Sequence, residues 1–409
     1  MLNEVIRREK YLEKIYLFKN QAVIKVITGQ RRTGKSYILK SIIGELELQG
    51  VFKKNIIYLN KEDLQFDKII SYKELHIFIE TKLQKANKNK KIYLLIDEVQ
   101  EISGFEKAIR SYALNKKFDI YITGSNSEII SSELSTYLGG RYIENFIAPL
   151  DFKEFLKFSG LRTNHESLEK YFRYGGLPFI HNMPLNDEVV FTYAKNIFNS
   201  ILLKDVIKKF EIRNIALLEK LVMFLCGNIG YEFSANSICK YLKNEGIKVT
   251  PSIILDYLYA LRAGYFIHEV KRYDLVGKKV FKQNAKYYVN DIGIRNALAG
   301  FNEAMTNQVM ENIVFMQLKS DGYEIYTGIL EGREIDFVAI KNTKIKYIQV
   351  ALTIGDTKTR EREFGNLLKI KDNFEKIVIS MDPVVNEYQG IKHIKLIDFL
   401  LKGEVKKVK

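Results

Sequence analysis

Along this 409-residue chain the spacing of apolar positions switches between a helical and a strand period, and the switches mark its elements. Residues 1–20 set Ile, Tyr and Leu at helical spacing among charges and predict a leading helix. Residues 22–28 (AVIKVIT) are a β-branched run of the kind that fills a buried strand, and residues 37–43 return to helical spacing. Further strands are expected at 55–60, 91–96, 119–123 and 143–147, with an amphipathic helix at 72–86. Residues 161–210 read as helices broken at Gly175-Gly176-Leu177-Pro178. From 215 to 300 the pattern is helix, short helix, helix and then two strands enclosing Asp274 to Lys279. Ser234 and Asn236 supply caps for one of these helices; Thr250-Pro251-Ser252 starts another, which Gly264 stops. The last hundred residues predict a helix at 308–320, strands at 323–326, 333–340 and 346–352, a helix at 358–371 and a strand at 376–380.

Between the first strand and its helix stands Gly29-Gln30-Arg31-Arg32-Thr33-Gly34-Lys35-Ser36, which fits GxxxxGK[ST]. Strand, glycine turn and helix is the context a phosphate loop requires. The glycines permit backbone angles that turn successive N–H groups toward one point, and the helix N-terminus adds partial positive charge. Lys35 is then expected at the β- and γ-phosphates of ATP and the Ser36 hydroxyl at Mg²⁺. Arg31 and Arg32 lie inside the loop, and the sequence leaves open whether they face phosphate or a partner.

Composition changes the picture only modestly. The chain is 46% hydrophobic and 28% charged, ordinary for a globular protein of two to four domains. No stretch approaches a membrane span, and the charged N-terminus does not resemble a signal peptide. Cys226 and Cys239 make neither a metal spacing nor a disulfide framework and read as reduced core thiols, and the five histidines are scattered. These features lead to an expectation of a cytoplasmic protein with no membrane partner. The formal charge of +15 divides into +7 on residues 1–160, +2 on 161–210, +5 on 211–300 and +1 on 301–409. The excess lies on segments expected to fold, which is compatible with a polyanionic partner and equally with a merely basic soluble protein.

The strand at 91–96 ends in Asp97-Glu98. Downstream of a phosphate loop, the first carboxylate is expected to bind Mg²⁺ through its waters and the second to orient the attacking water. The strand at 119–123 ends in Gly124-Ser125-Asn126-Ser127. In the ATPase subclass with the extra glutamate it lies between the phosphate-loop strand and the Asp97 strand. Asn126 is then the first candidate for a γ-phosphate sensor and Ser125 the second, with simple helix capping an equal reading.

The series GxxxxGKS, IDEVQ, ITGSNS, LxGRY, PLDFKEF and YGGLP resembles a large prokaryotic family of AAA-type ATPases with a C-terminal domain of unknown function. The resemblance spans essentially the whole chain. It implies an α/β, parallel-sheet P-loop core of the AAA+ type over residues 1–160 and a helical lid over 161–210. It also implies that Arg141 of LxGRY is an arginine finger, a fixed charge for the transferred phosphoryl, acting in cis or in trans.

Residues 211–300 look like a winged-helix domain whose wing (Lys271, Arg272, Lys278, Lys279, Lys282 and Lys286 against the single acid Asp274) suits a DNA backbone. Packing or self-association is the alternative use. Residues 301–409 resemble the restriction-endonuclease-like fold, whose active members carry a helix Glu, then Asp, then E-x-K. Glu311 and Asp336 match, but Gln349 stands where the second carboxylate belongs and Ala351 where the lysine belongs. No nearby repair is evident, although Lys346 and Lys358 are candidates to migrate in, and the domain reads as a nuclease relative without nuclease chemistry. The expected function is an ATP- and Mg²⁺-dependent ATPase acting on nucleic acid or a partner. The rivals are a signalling-type ATPase switch with a protein client and an ATP-stimulated nuclease.

Overall fold

The computed structural model describes residues 6–130, 140–385 and 387–402, apart from the side chains of 129, 130, 282, 283 and 402. Leu138 and Gly139 of LxGRY lie outside the described residues. The chain divides into two compact units, Met1–Ile147 with Ala263–Tyr265, and the remainder.

The first unit is a five-stranded parallel sheet between helices. Its strands are β1 (Ile24–Thr28), β2 (Ile56–Asn60), β3 (Ile92–Asp97), β4 (Phe118–Gly124) and β5 (Tyr142–Phe146), in the order β2-β3-β4-β1-β5. Helices α1 (Glu9–Tyr16), α2 (Lys35–Leu48), α3 (Tyr72–Leu83) and α4 (Phe105–Ala113) flank it. Every residue of β1, β3 and β4 is buried, which is why these strands read as unbroken apolar runs rather than alternating ones. The exception inside β1 is Lys25, fully buried and ion-paired to Asp119 of β4. Asp119 also accepts from the Asn20 N–H (2.9 Å) and the Tyr121 hydroxyl (3.0 Å), so the buried carboxylate is fully used. Helix α3 starts in a capping box in which Ser71 and Glu74 satisfy each other's backbone N–H.

The second unit is built on an eight-stranded mixed sheet. Helices α5 (Phe152–Ser159), α6 (His165–Tyr174) and α7 (Asp187–Ile201) come first, followed by α8 (Ile215–Gly227), the short strand β6 (Glu232–Phe233), α9 (Ala235–Asn244) and α10 (Pro251–Ala263). The strands β7 (Ile267–Asp274) and β8 (Lys279–Val289) form the hairpin expected around Asp274 to Lys279, and α11 (Ile292–Ala299) follows. Then come α12 (Thr306–Ser320), β9 (Glu324–Leu330), β10 (Arg333–Lys341), β11 (Lys344–Val350), α13 (Thr357–Leu368), β12 (Glu375–Ser380), β13 (Lys392–Lys395) and α14 (Leu396–Lys402). The sheet order is β13-β12-β11-β10-β9-β7-β8-β6. Parallel pairing of β7 with β9 therefore joins the segments 211–300 and 301–409 into one sheet.

Two local details explain sequence features. Strand β9 runs four residues past the expected 326 because Gly328 permits close approach to β10. A Cβ there would lie 2.8 Å from Val338 Cγ2. The Gly175-Gly176 break ends α6 at a left-handed Gly175 (φ 71°) and docks on Asp291, the N-cap of α11. Asp291 Oδ2 accepts from the Gly176 N–H at 2.8 Å, and Oδ1 from the Ile294 N–H at 2.9 Å. A Cβ on Gly176 would collide with Leu150 O at 2.3 Å. Burial pushes the Asp291 carboxyl up to about 6.

Candidate active site

The site forms at the C-terminal edge of the parallel sheet. After Thr28 the chain turns at Gly29 (φ 142°), where a Cβ would meet Ile147 O at 2.4 Å, and enters α2 through Gly34 at φ 98°. Neither position tolerates a side chain without strain. The result is a loop whose N–H groups sit at the start of a 14-residue helix, as an anion site requires. Lys35 is buried, and its Nζ donates to Gly29 O and Gln30 O, each at 3.0 Å. Arg8, ahead of α1, braces the loop from outside by donating to Thr33 O at 2.8 Å.

Strand β3 delivers Asp97 and Glu98 to the same place. Ser36 hydrogen-bonds Asp97, and Thr123 of β4 donates to Asp97 Oδ1 at 2.5 Å while accepting from the Glu98 N–H at 2.9 Å. Burial raises the Asp97 carboxyl, against the pull of Thr123 and Ser36. A hydroxyl and a buried carboxylate in contact beside a phosphate loop are the donor set Mg²⁺ takes in such sites, so the residues fit that ion.

Glu98 sits at φ 53°, left-handed, with Oε1 3.4 Å from Lys35 Nζ. Its burial works to raise the carboxyl, but Lys35, Arg31 and hydrogen bonds from Gln100 and Ser125 outweigh it and hold Glu98 below its ordinary value. Thr123, Gln100 and Arg8 were not singled out from the sequence. Thr123 and Gln100 entered only as letters of the motifs ITGSNS and IDEVQ, with no role of their own, and Arg8 as one charge of a charged helix.

The remaining sequence candidates separate. Ser125 and Asn126 are both buried at the end of β4, but Ser125 hydrogen-bonds Glu98, while Asn126 Oδ1 accepts from the Glu128 N–H at 2.9 Å as a turn cap. Arg31 is buried and faces Glu62 (3.5 Å) and Glu101 (3.7 Å), whereas Arg32 is exposed at φ 67°. Arg141 is exposed and immediately precedes β5, whose Tyr142 pairs with Ile24 and Phe146 with Thr28. It thus stands at the opposite end of the strands from the loop, six residues before Ile147 beside Gly29 and so ~20 Å away at about 3.3 Å per residue.

In the second unit, Glu311 (α12), Asp336 (β10) and Gln349 (β11) do come together. Gln349 Oε1 accepts from the Asp336 N–H at 2.7 Å, and Asp336 Oδ2 accepts from the Val350 N–H at 2.7 Å. Lys286 of β8, assigned from sequence to the basic wing, is buried here instead, 2.9 Å from Glu311 Oε1 and 2.6 Å from Glu334 Oε1. Tyr288 donates to Glu311 Oε1 at 2.5 Å, and Gln349 Nε2 to Glu363 Oε2 at 2.8 Å. Burial works to lower the Lys286 ammonium, but Glu311, Asp336 and Glu334 raise it overall; burial and Glu311 raise the Asp336 carboxyl. Among the described residues no three His, Cys, Asp or Glu side chains converge as a metal ion needs.

Residues 21–156 match the model of an AAA domain, and residues 165–304 match a domain of unknown function (DUF8612). A protein of Haemophilus influenzae is 36% identical over 98% of this chain and 100% of its own length. One from Methanocaldococcus jannaschii is 29% identical over 97% of this chain and 89% of its own. The chain belongs to the same family as the Haemophilus protein, and its residues 21–156 are an AAA domain that carries the phosphate loop. Among solved structures it is similar in outline to a Walker-type ATPase of Pyrococcus abyssi (17% identity, TM-score 0.49, 71% of this chain and 95% of that one). It is similar, more distantly, to the Aeropyrum pernix ORC2 protein (10% identity, TM-score 0.40, 75% of this chain and 92% of that one). No helix of the described residues is long and apolar enough to cross a membrane.

Proposed function

We propose that this chain hydrolyses ATP with Mg²⁺ and uses the nucleotide state to control a partner held by its second unit. The observation that carries the reading is the convergence of the phosphate loop with Asp97 and Glu98 across the intervening strand β4, with Lys35 Nζ 3.4 Å from Glu98 Oε1. The loop N–H groups from Gly29 to Ser36 receive the phosphates, and Lys35 moves from Gly29 O and Gln30 O onto them. Ser36 and Asp97 would hold Mg²⁺, which supplies charge neutralisation at the β- and γ-phosphates. Glu98 orients a water and takes its proton as the water oxygen bonds the γ-phosphorus. The bond to the β–γ bridging oxygen breaks, that oxygen leaves on ADP, and the proton passes to the released phosphate. In this reading Ser125, whose hydrogen bond to Glu98 supports the choice over Asn126, links the γ-phosphate to Glu98. Arg141 acts as a finger only in trans, because its own loop lies at the other end of the adjacent strand β1. Lys35→Ala and Glu98→Gln, assayed separately for binding and turnover, test the reading.

Residues 211–300 we read as a winged helix and 301–409 as a nuclease relative without nuclease chemistry. Lys271, Lys278 and Lys279 are exposed on the hairpin and suit DNA phosphates, while Arg272 is paired to Glu232 at 3.0 Å. A protein partner, or a second copy of the chain, is the second reading, and α10 favours it. The exposed positions Ser252, Leu255, Asp256 and Tyr259 share one helical face and carry no cation to meet a phosphate.

A further inference from the structure

Gln100 has no part in the roles given above, yet its side chain is built into the site. The left-handed turn at Glu98 (φ 53°) leads into a tight single turn, Val99–Glu101, which folds the Gln100 side chain back over the carboxylate two residues earlier. Gln100 Nε2 donates to Glu98 Oε2 at 2.5 Å and reaches Ser125 Oγ at 3.2 Å. The two oxygens of Glu98 are therefore committed differently: Oε2 to the amide, Oε1 to the Lys35 ammonium at 3.4 Å. Lys35 itself rests on the carbonyls of Gly29 and Gln30, partners that phosphate oxygens replace.

Resting on the ATPase reading, we infer that Gln100 is a positioning residue. Its amide fixes Glu98 Oε2 against Ser125, so that Oε1 stays aimed at the reacting centre when Lys35 leaves it for the phosphates. Without that amide, a carboxylate that has just lost its lysine is free to rotate about its terminal bonds, and the water it holds loses its line to phosphorus. Nucleotide binding has no such dependence, because the amide hydrogen-bonds Glu98 and Ser125 and not the loop or Lys35.

The test is steady-state and single-turnover ATP hydrolysis by the full chain, with fluorescent ATP binding and thermal melting measured in parallel. For Gln100→Ala the expected result is a kcat loss of ~10–100-fold, the scale seen when an orienting partner is removed, with KM and nucleotide affinity within about twofold of wild type. Gln100→Glu keeps the length but cannot donate to Glu98, and the same loss is expected. Ser125→Ala is expected to lose turnover as well, and the double variant Q100A/S125A less than the product of the two single losses, since both residues act on the same Glu98 carboxylate. Wild-type turnover in Gln100→Ala and Gln100→Glu, or a loss of affinity that matches the loss of turnover, overturns the inference. Absent hydrolysis by the wild type, or equal turnover by Glu98→Gln, overturns the ATPase reading with it. A wild type that turns over, a dead Glu98→Gln and an unimpaired Gln100→Ala overturn the role of Gln100 alone.

Discussion

Lys286 Nζ lies 2.9 Å from Glu311 Oε1, both side chains at least nine-tenths buried, where the nuclease pattern would place a metal-binding carboxylate. The ammonium is a tethered cation inside the carboxylate cluster. Removing one partner of such a pair leaves an uncompensated buried charge, so Lys286→Met is expected to destabilise the protein by about 3–5 kcal/mol, read from urea unfolding midpoints. Lys286→Met with Glu311→Gln is expected to recover much of that loss. The cluster is also expected to give no Mg²⁺- or Mn²⁺-dependent cleavage of linear, supercoiled or branched DNA. Cleavage that copurifies with the protein and disappears in Asp336→Ala would show that Lys286 and Glu363 have rebuilt the site.

Lys35→Ala is expected to abolish fluorescent-ATP binding, because the loop then loses its mobile cation. Glu98→Gln keeps the shape of the site and removes the carboxylate that meets the water. Affinity should remain, while turnover falls by ~100-fold or more, as expected for loss of a general base. Titration of nucleotide and phosphate-release assays on the same preparations check both.

If Arg141 works in trans, ATP turnover per chain should rise with protein concentration and saturate as chains associate. Arg141→Ala should remove that rise and lower the plateau by ~10³-fold or more, with affinity largely intact. A rate independent of concentration, in a chain that stays monomeric with ATP by mass measurement, would leave Arg141 a structural residue at the start of β5.

Binding of the hairpin to DNA should weaken with salt by about 0.9 log units per log unit of salt for each phosphate contact. Replacing Lys271, Lys278 and Lys279 with alanine should flatten that slope. Unchanged binding and slope would move the partner surface to the exposed face of α10, with Leu255 and Tyr259 the residues to change next.

What the sequence by itself determined is the part of the site made by consecutive residues. Gly29 to Ser36 build the loop because backbone angles and a helix start are local properties, and Asp97-Glu98 end a strand whose apolar run is visible in one dimension. The resemblance carried the strand order further, to the point of placing β4 between β1 and β3. Only the tertiary structure decided which side chains meet across that order. Ser125 and Asn126 are adjacent in sequence, and the end of a strand says nothing about which of them reaches Glu98. Gln100 is polar in any reading, and only the left-handed turn at Glu98 folds it back. Lys286 looked like one more cation of a basic hairpin, until the pairing of β7 with β9 drew its strand into the same sheet as Asp336. Arg141 could not be assigned to an edge of the sheet until the register of β5 against β1 was known. In each case the deciding quantity is a distance between residues far apart in the chain or turned by a backbone angle, and no pattern of polar and apolar letters encodes it.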